Sequence, residues 1–314
     1  MPNILTIEST CDETAVAIVN ERLEVLGTCV SSQNELHEQY KGVVPEIAAR
    51  AHLERILPVL RQSLEQANLT LREINAVAVA VTPGLANSLL VGLIAAKTLA
   101  LTLNLPLISI NHLHAHIYAC QIATGRNVYP CVGLIVSGGH THLYDFPNAL
   151  QPVYLGGTID DEAGEAFDKV ANMLNLGFPG GPFLAKLAES GDATRFKFPR
   201  SFIHENKIAF SFSGLKTAVR YELAGYGSVD FTKLQVEPQL AADVAASFQA
   251  AVCDVLVSKS MLALKQTGRH RLCVGGGVAA NRLLRRNLEA ATTAEEVELL
   301  IAPLELCTDN AVMG

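Results

Sequence analysis

The sequence is short of charge: aspartate, glutamate, lysine and arginine make up only 18% of its 314 residues, against 49% hydrophobic ones. That balance excludes a polar, highly charged disordered chain and fits a core-rich globular protein. A basic excess is missing too. The net charge of −7 gives no global attraction for nucleic acid, so any polyanion must find a local patch. No Cys-x-x-Cys pair occurs among the seven cysteines, at 11, 29, 120, 131, 253, 273 and 307, which argues against a disulfide framework and a cysteine zinc knot. The longest apolar run in the greasiest region, Leu89 to Ala96, falls far short of the roughly 20 residues a bilayer crossing needs. No membrane span is expected. The N-terminus enters a strand at Asn3 without a basic flank or small-residue cleavage site, and a cytoplasmic location is expected.

The length favours two domains. Residues 3–31 predict strands to Ile7, from Ala15 to Val19 and from Val25 to Val30, around a polar turn Glu8 to Thr14. A helix opening at Pro45 runs to about Asn68, the strand Ala76 to Thr82 ends in Pro83-Gly84, and an apolar helix follows to about Leu103. The order then restarts: a buried strand Val132 to Val136, the turn Ser137 to His140, and an alternating strand Thr141 to Asp145. A helix near Gly164 to Leu174, an irregular Gly/Pro-rich middle, a helix Pro238 to Thr267 ended by Gly268 and strands Arg271 to Val274 and Val297 to Ala302 complete it. Such repetition implies a duplicated α/β fold with a cleft between lobes and a hinge near 112–130.

Three strand-end turns could hold a nucleotide. In Glu8 to Thr14, hydroxyls and backbone N–H groups can bind phosphate, and Asp12 or Glu13 can hold a metal-bound water or take a proton. Gly138 and Gly139 let the backbone of the second turn approach an anion. The third, Gly275 to Gly277, passes from strand into a helix whose N–H groups favour phosphate. None fits Gly-x-Gly-x-x-Gly or the Walker pattern. At the start of the helix near Gly164, Asp161, Glu165 and Asp168 could bind ribose or orient a metal. Arg195, Lys197, Arg200, Lys207, Lys216 and Arg220 alternate with phenylalanines; this is a solvated basic loop or a nucleic-acid contact.

The segment His112-Leu113-His114-Ala115-His116 offers imidazoles at competing spacings. As a helix it puts His112 and His116 on one face; as a strand it aligns all its histidines, closer to a catalytic zinc centre. Asn111, a good N-cap, and the uninterrupted Ile117-Tyr118-Ala119 favour helix. Asp309, in a loop after a strand, could complete a face of two histidines and one carboxylate.

The motifs Ile7 to Thr14, Gly42 to Glu46, Thr82 to Leu85, His112 to His116, Val136 to Thr141, Gly164 to Lys169, Phe178 to Pro182, Phe210 to Lys216 and Cys307 to Asn310 resemble, in order and over essentially the whole chain, those of the TsaD-type tRNA adenosine threonylcarbamoyltransferases. The resemblance implies an actin/Hsp70/hexokinase-like (ASKHA) fold, with lobes 1–120 and 121–314 and a nucleotide and metal site in the inter-lobe cleft. It implies transfer of threonylcarbamoyl from threonylcarbamoyl-AMP to the N6 amine of adenosine 37 in tRNAs that read codons beginning with A. It implies one divalent metal ion, Fe2+ or Zn2+, held by His112, His116 and Asp309, and substrate contacts at Ile135, Val136, Ser137, Gly138, Gly139, Asp168, Gly181 and Asn281. Expected partners are tRNA, a TsaB-like paralogue and a TsaE-like ATPase, and Asp12 and Glu13 are the candidate catalytic carboxylates. Family members continue beyond the Asp309 motif; this sequence ends at Gly314, so the usual C-terminal extension is expected to be missing.

Rival functions are an ASKHA kinase or ATPase acting on a small molecule, a non-enzymatic nucleotide-binding regulator, and a zinc peptidase. In His-Glu-x-x-His peptidases a glutamate beside the first histidine activates water, and here that position is Leu113.

Overall fold

The computed structural model describes residues 1–227 and 229–314. By internal contacts they form two compact units, Met1–Asn127 with Ala302–Gly314, and Val128–Ile301. The first unit therefore keeps the C-terminal segment, whereas the sequence suggested a single cut at 120/121.

In the first unit, strands β1 (Asn3–Glu8), β2 (Glu13–Asn20) and β3 (Val25–Ser32) are followed by helices α1 (Asn34–His37) and α2 (Pro45–Ala67). Strand β4 (Ala76–Thr82), helix α3 (Ala86–Leu103), strand β5 (Leu107–Asn111) and helix α4 (His112–Thr124) come next. Sheet order is β3-β2-β1-β4-β5, antiparallel through β1 to β3 and parallel from β1 to β5. Alternation along β2 explains its two faces. Val16 and Ile18 enter a core with Leu5, Ile7, Ile56, Val59, Val77 and Val79, while Ala15 and Ala17 meet Ala311 and Val312 of the C-terminal segment. Thr6 Oγ1 donates to Ala311 O on that second face, which fixes the chain just after Asp309.

The second unit contains β6 (Cys131–Val136), β7 (Thr141–Phe146), β8 (Val153–Gly157), α5 (Ala163–Met173), α6 (Gly180–Ala188) and α7 (Ser213–Ala224). It continues with α8 (Pro238–Thr267), β9 (Arg271–Gly275), α9 (Arg282–Ala294) and β10 (Glu298–Ile301); α10 (Leu304–Cys307) then belongs to the first unit. Its sheet order, β10-β9-β6-β7-β8, repeats the first sheet strand for strand with the same directions. The duplication read from the sequence is therefore real.

Two corrections concern local structure. Strand β8, between β7 and the helix near Gly164, has no counterpart in the expected elements, and helices α6 and α7 lie where an irregular middle was expected. The third turn enters a short 3-10 turn, Gly277–Ala280, rather than an α-helix, and α9 begins only after Asn281.

Although the sequence shows no long apolar run, α3 and α8 each have the length and hydropathy of a span, with windows of mean hydropathy 1.6. Within the protein 78% of the α8 window is buried, as a core helix should be, and α3 packs against β4 and α2.

Candidate functional site

Asn111 builds the candidate metal site from below. Its side chain accepts from Leu113 N at 3.0 Å and His114 N at 3.3 Å, satisfying orphan donors of the first turn and starting α4 at His112. His112 and His116 then share a face, with ring centroids 4.9 Å apart, and both are buried. The helical alternative holds. Asp309, brought back by the C-terminal segment, places Oδ1 3.6 Å from His112 Nε2 and 3.5 Å from His116 Nε2. Ligand atoms from the three residues all lie within 4.8 Å of one another. Tetrahedral ligands about 2.1 Å from an ion stand about 3.4 Å apart, so this donor set fits a first-row divalent metal with positions left open.

Glu8 is the residue sequence reasoning left without a role. At the end of β1 its Oε2 accepts from His112 Nδ1 at 3.0 Å, which turns Nε2 toward Asp309, as carboxylates behind metal-binding imidazoles do. Its other oxygen accepts from Thr10 N at 2.6 Å. Burial pushes the Glu8 carboxyl up, but attraction and hydrogen bonding from His112, with help from Thr10, pull it below its ordinary range. Burial disfavours the charged His112 ring, yet Asp309 and then Glu8 raise it to about 9. Burial lifts Asp309 to about 6; His112 pulls it down while Glu8 and Asp12 push it up.

Asp12 and Glu13 sit in the β1–β2 turn. Burial, then repulsion from Asp12 and Asp309, push Glu13 up to about 10, so it holds its proton at neutral pH. A cation held by Asp309 would act in the opposite sense, favouring the charged form of Glu13. Leu113 is 5% exposed, and no carboxylate stands in its place to activate water.

The second unit carries the other expected contacts. Ile135 and Val136 are buried on β6, and Ser137 N donates to His140 O to close the turn. A side chain at Gly138 or Gly139 would touch no protein atom, so the room these glycines leave lies outside the protein, where a ligand can approach. Gly276, at φ 97°, is different: a Cβ there would strike the Val136 carbonyl, which locks the third turn against the end of β6. Asp168 Oδ1 accepts from Gly180 N at 2.7 Å, so Asp168 and neighbouring Gly181 come together. Asn281 caps α9 through Leu283 N and Leu284 N and donates to Gln249 Oε1 at 2.7 Å. Asp161 and Glu165 pair instead with lysines, Asp161 with Lys169 and Lys216 and Glu165 with Lys169.

The basic segment is ordered along α8. Arg200 pairs with Asp254 at 2.8 Å and Lys216 with Asp161 at 2.6 Å, while Arg195, Lys197 and Lys207 stay exposed.

The fold agrees with solved structures. The chain superposes over 99% of its length on 46% of HypF from T. kodakarensis, at TM-score 0.62 and 14% identity. Over its full length it matches 96% of component A of the (R)-2-hydroxyglutaryl-CoA dehydratase of Acidaminococcus fermentans, at TM-score 0.55 and 14% identity. The fold is ASKHA-like. Among curated relatives, a tRNA N6-adenosine threonylcarbamoyltransferase of Rhodopirellula baltica is 60% identical over 99% of this chain and 90% of its own length. One of Trichlorobacter lovleyi is 47% identical over 99% of this chain and 89% of its own. The family profile described as TsaD, tRNA N6-adenosine threonylcarbamoyltransferase, matches residues 24–314. The chain thus belongs to the TsaD family.

Proposed function

We propose that the protein transfers a threonylcarbamoyl group from threonylcarbamoyl-AMP to N6 of adenosine 37 in tRNAs that read codons beginning with A. Family membership along nearly the whole chain carries this reading, and the His112, His116 and Asp309 cluster supports it. Transfer of labelled threonine into tRNA, in the presence of bicarbonate, ATP and partner proteins, tests it.

The exocyclic amine is a poor nucleophile and AMP a good leaving group, so positioning and charge stabilisation do most of the work. His112, His116 and Asp309 would hold an iron or zinc ion, which would supply Lewis acidity toward a phosphate or carbonyl oxygen. Ser137 to Gly139 offer backbone to the anionic part of the substrate, with Ile135, Val136, Asp168, Gly181 and Asn281 as further contacts. N6 attacks the carbamoyl carbon, the bond from that carbon to the AMP oxygen breaks, and the N6 proton passes to a base. Burial and repulsion favour the protonated form of Glu13, so Asp12 is the proposed base.

Arg195 and Lys197, exposed next to stacked Phe196 and Phe198, and Lys207, exposed with its Nζ over the Phe202 ring, are the proposed tRNA backbone contacts. Reversing all three charges should weaken tRNA binding and lower the salt slope by about one per lost phosphate contact. Reversing Arg200, which is held by Asp254, should disturb local structure instead. Filter binding over a salt series checks both.

A TsaB-like paralogue and a TsaE-like ATPase complete the proposed cytoplasmic assembly. Leu53 and Leu57 on α2 are 64% and 65% exposed, and Leu90 and Ile94 on α3 51% and 55%. Apolar residues this open suit a protein partner. Leu53→Asp with Leu57→Asp should abolish co-elution with the paralogue while leaving thermal stability within about 0.5 kcal/mol.

A further inference from the structure

The β1–β2 turn is held in place by a buried chain of neutral side chains that the metal centre does not use. His52, on α2, is fully buried. Its Nε2 lies 3.0 Å from Cys11 O, and its Nδ1 lies 2.7 Å from Thr14 Oγ1. A carbonyl can only accept, so Nε2 carries the proton and Nδ1 accepts from the threonine hydroxyl. One imidazole thus grips the turn immediately before Asp12 and immediately after Glu13. Gln33 adds a third hold, its backbone N–H donating to Asp12 O at 3.0 Å.

The ring is itself fixed from behind. Gln33 Nε2 packs 3.4 Å from His52 Nδ1, whose lone pair Thr14 takes, and donates to Ala48 O at 3.4 Å, while Gln33 Oε1 accepts from His37 Nε2 at 3.3 Å. His37 Nδ1 accepts from Val44 N, also at 3.3 Å. This assignment gives each imidazole one donor and one acceptor and satisfies both as neutral rings. Burial lowers the pKa of both rings, which agrees. A network this enclosed is costly unless complete, and complete it holds one geometry.

We infer that His52 is a positioning residue for the transfer reaction: by clamping Cys11 and Thr14 it sets the orientation of Asp12, with Gln33 and His37 as its support. The inference rests on the reading of Asp12 as the base. A shift of about 1 Å in a reacting group can cost up to about 100-fold in rate.

The test is a double-mutant cycle on the full chain with its partners, measuring kcat, KM for threonylcarbamoyl-AMP and bound metal. His52→Phe fills the volume and removes both hydrogen bonds; Thr14→Val removes one of them with little change of shape. Either should lower kcat by about 10–100-fold with KM within about twofold and metal content unchanged. His52→Gln, which restores a donor toward Cys11 O, should recover part of the loss. In an Asp12→Asn background the His52 effect should vanish, because a clamp cannot matter once the group it aims is gone. Multiplicative losses in the double variant, or loss of metal in Thr14→Val, would overturn the inference. A normal kcat in Asp12→Asn alone would overturn the base assignment instead, which keeps the two failures distinct. Should His52→Phe fail to fold, the Thr14→Val cycle decides the matter by the same criteria.

Discussion

Replacing Asp309 by asparagine is expected to empty the metal site and reduce transfer by on the order of a thousandfold, since a Lewis acid contributes several kcal/mol to such a step. The substitution is chosen on structural grounds. Removing His112 would strand the Glu8 carboxylate, which is 3% exposed, and an unpaired buried charge costs about 3–5 kcal/mol by itself. Asparagine at 309 keeps the shape and leaves the His112 to Glu8 contact at 3.0 Å intact, so the fold should survive. Metal content and thermal melting on the same sample separate loss of metal from loss of structure. Glu8→Gln should act more mildly, weakening metal binding about 10–100-fold through ring orientation.

Protons compete for the same ligands. With His112 near 9 and Asp309 near 6 in the metal-free protein, metal must displace one proton below pH 9 and a second below pH 6. Apparent affinity should therefore fall by at least about tenfold per pH unit between 9 and 6 and more steeply below 6. A chelator competition series across that range measures the slope directly. A flat profile would mean that the metal does not use His112.

Asp12→Asn should lower kcat by about 100- to 10,000-fold, the usual worth of a positioned base. Glu13→Gln should change it only a few-fold, because Glu13, pushed up to about 10, is already neutral and glutamine is its near-isostere. Single-turnover rates with preformed threonylcarbamoyl-AMP separate this step from binding and partner action. Equal losses in both variants would indicate a proton relay through the pair rather than a single base.

Much of this was legible in the sequence because the signals are local. Asn111 announced the helix that carries His112 and His116, and Pro45 and Gly268 marked a start and an end of helices that the structure keeps. The repeat of strand, turn and strand gave the duplication. Long-range devices were hidden. Helix α7 has no cap of its own; Asp160 reaches its first turn, accepting from Phe212 N at 2.9 Å and Ser213 N at 3.2 Å, so no nearby signal announced it. The return of the last residues to the first unit depends on Thr6 and Ala311 meeting across the chain. Nothing in the sequence around His52, on α2, marks it. Its partners Cys11, Thr14 and Gln33 come from β1–β2 and the approach to α1, where no periodicity points to it.

The central claim is tested most directly by mass spectrometry of tRNA recovered from a reaction of the metal-loaded protein with threonine, bicarbonate, ATP and its proposed partners. The account predicts N6-threonylcarbamoyladenosine at position 37, absent when Asp309→Asn replaces the wild type. Unmodified tRNA alongside a phosphorylated small molecule, or equal product with Asp309→Asn, would contradict it.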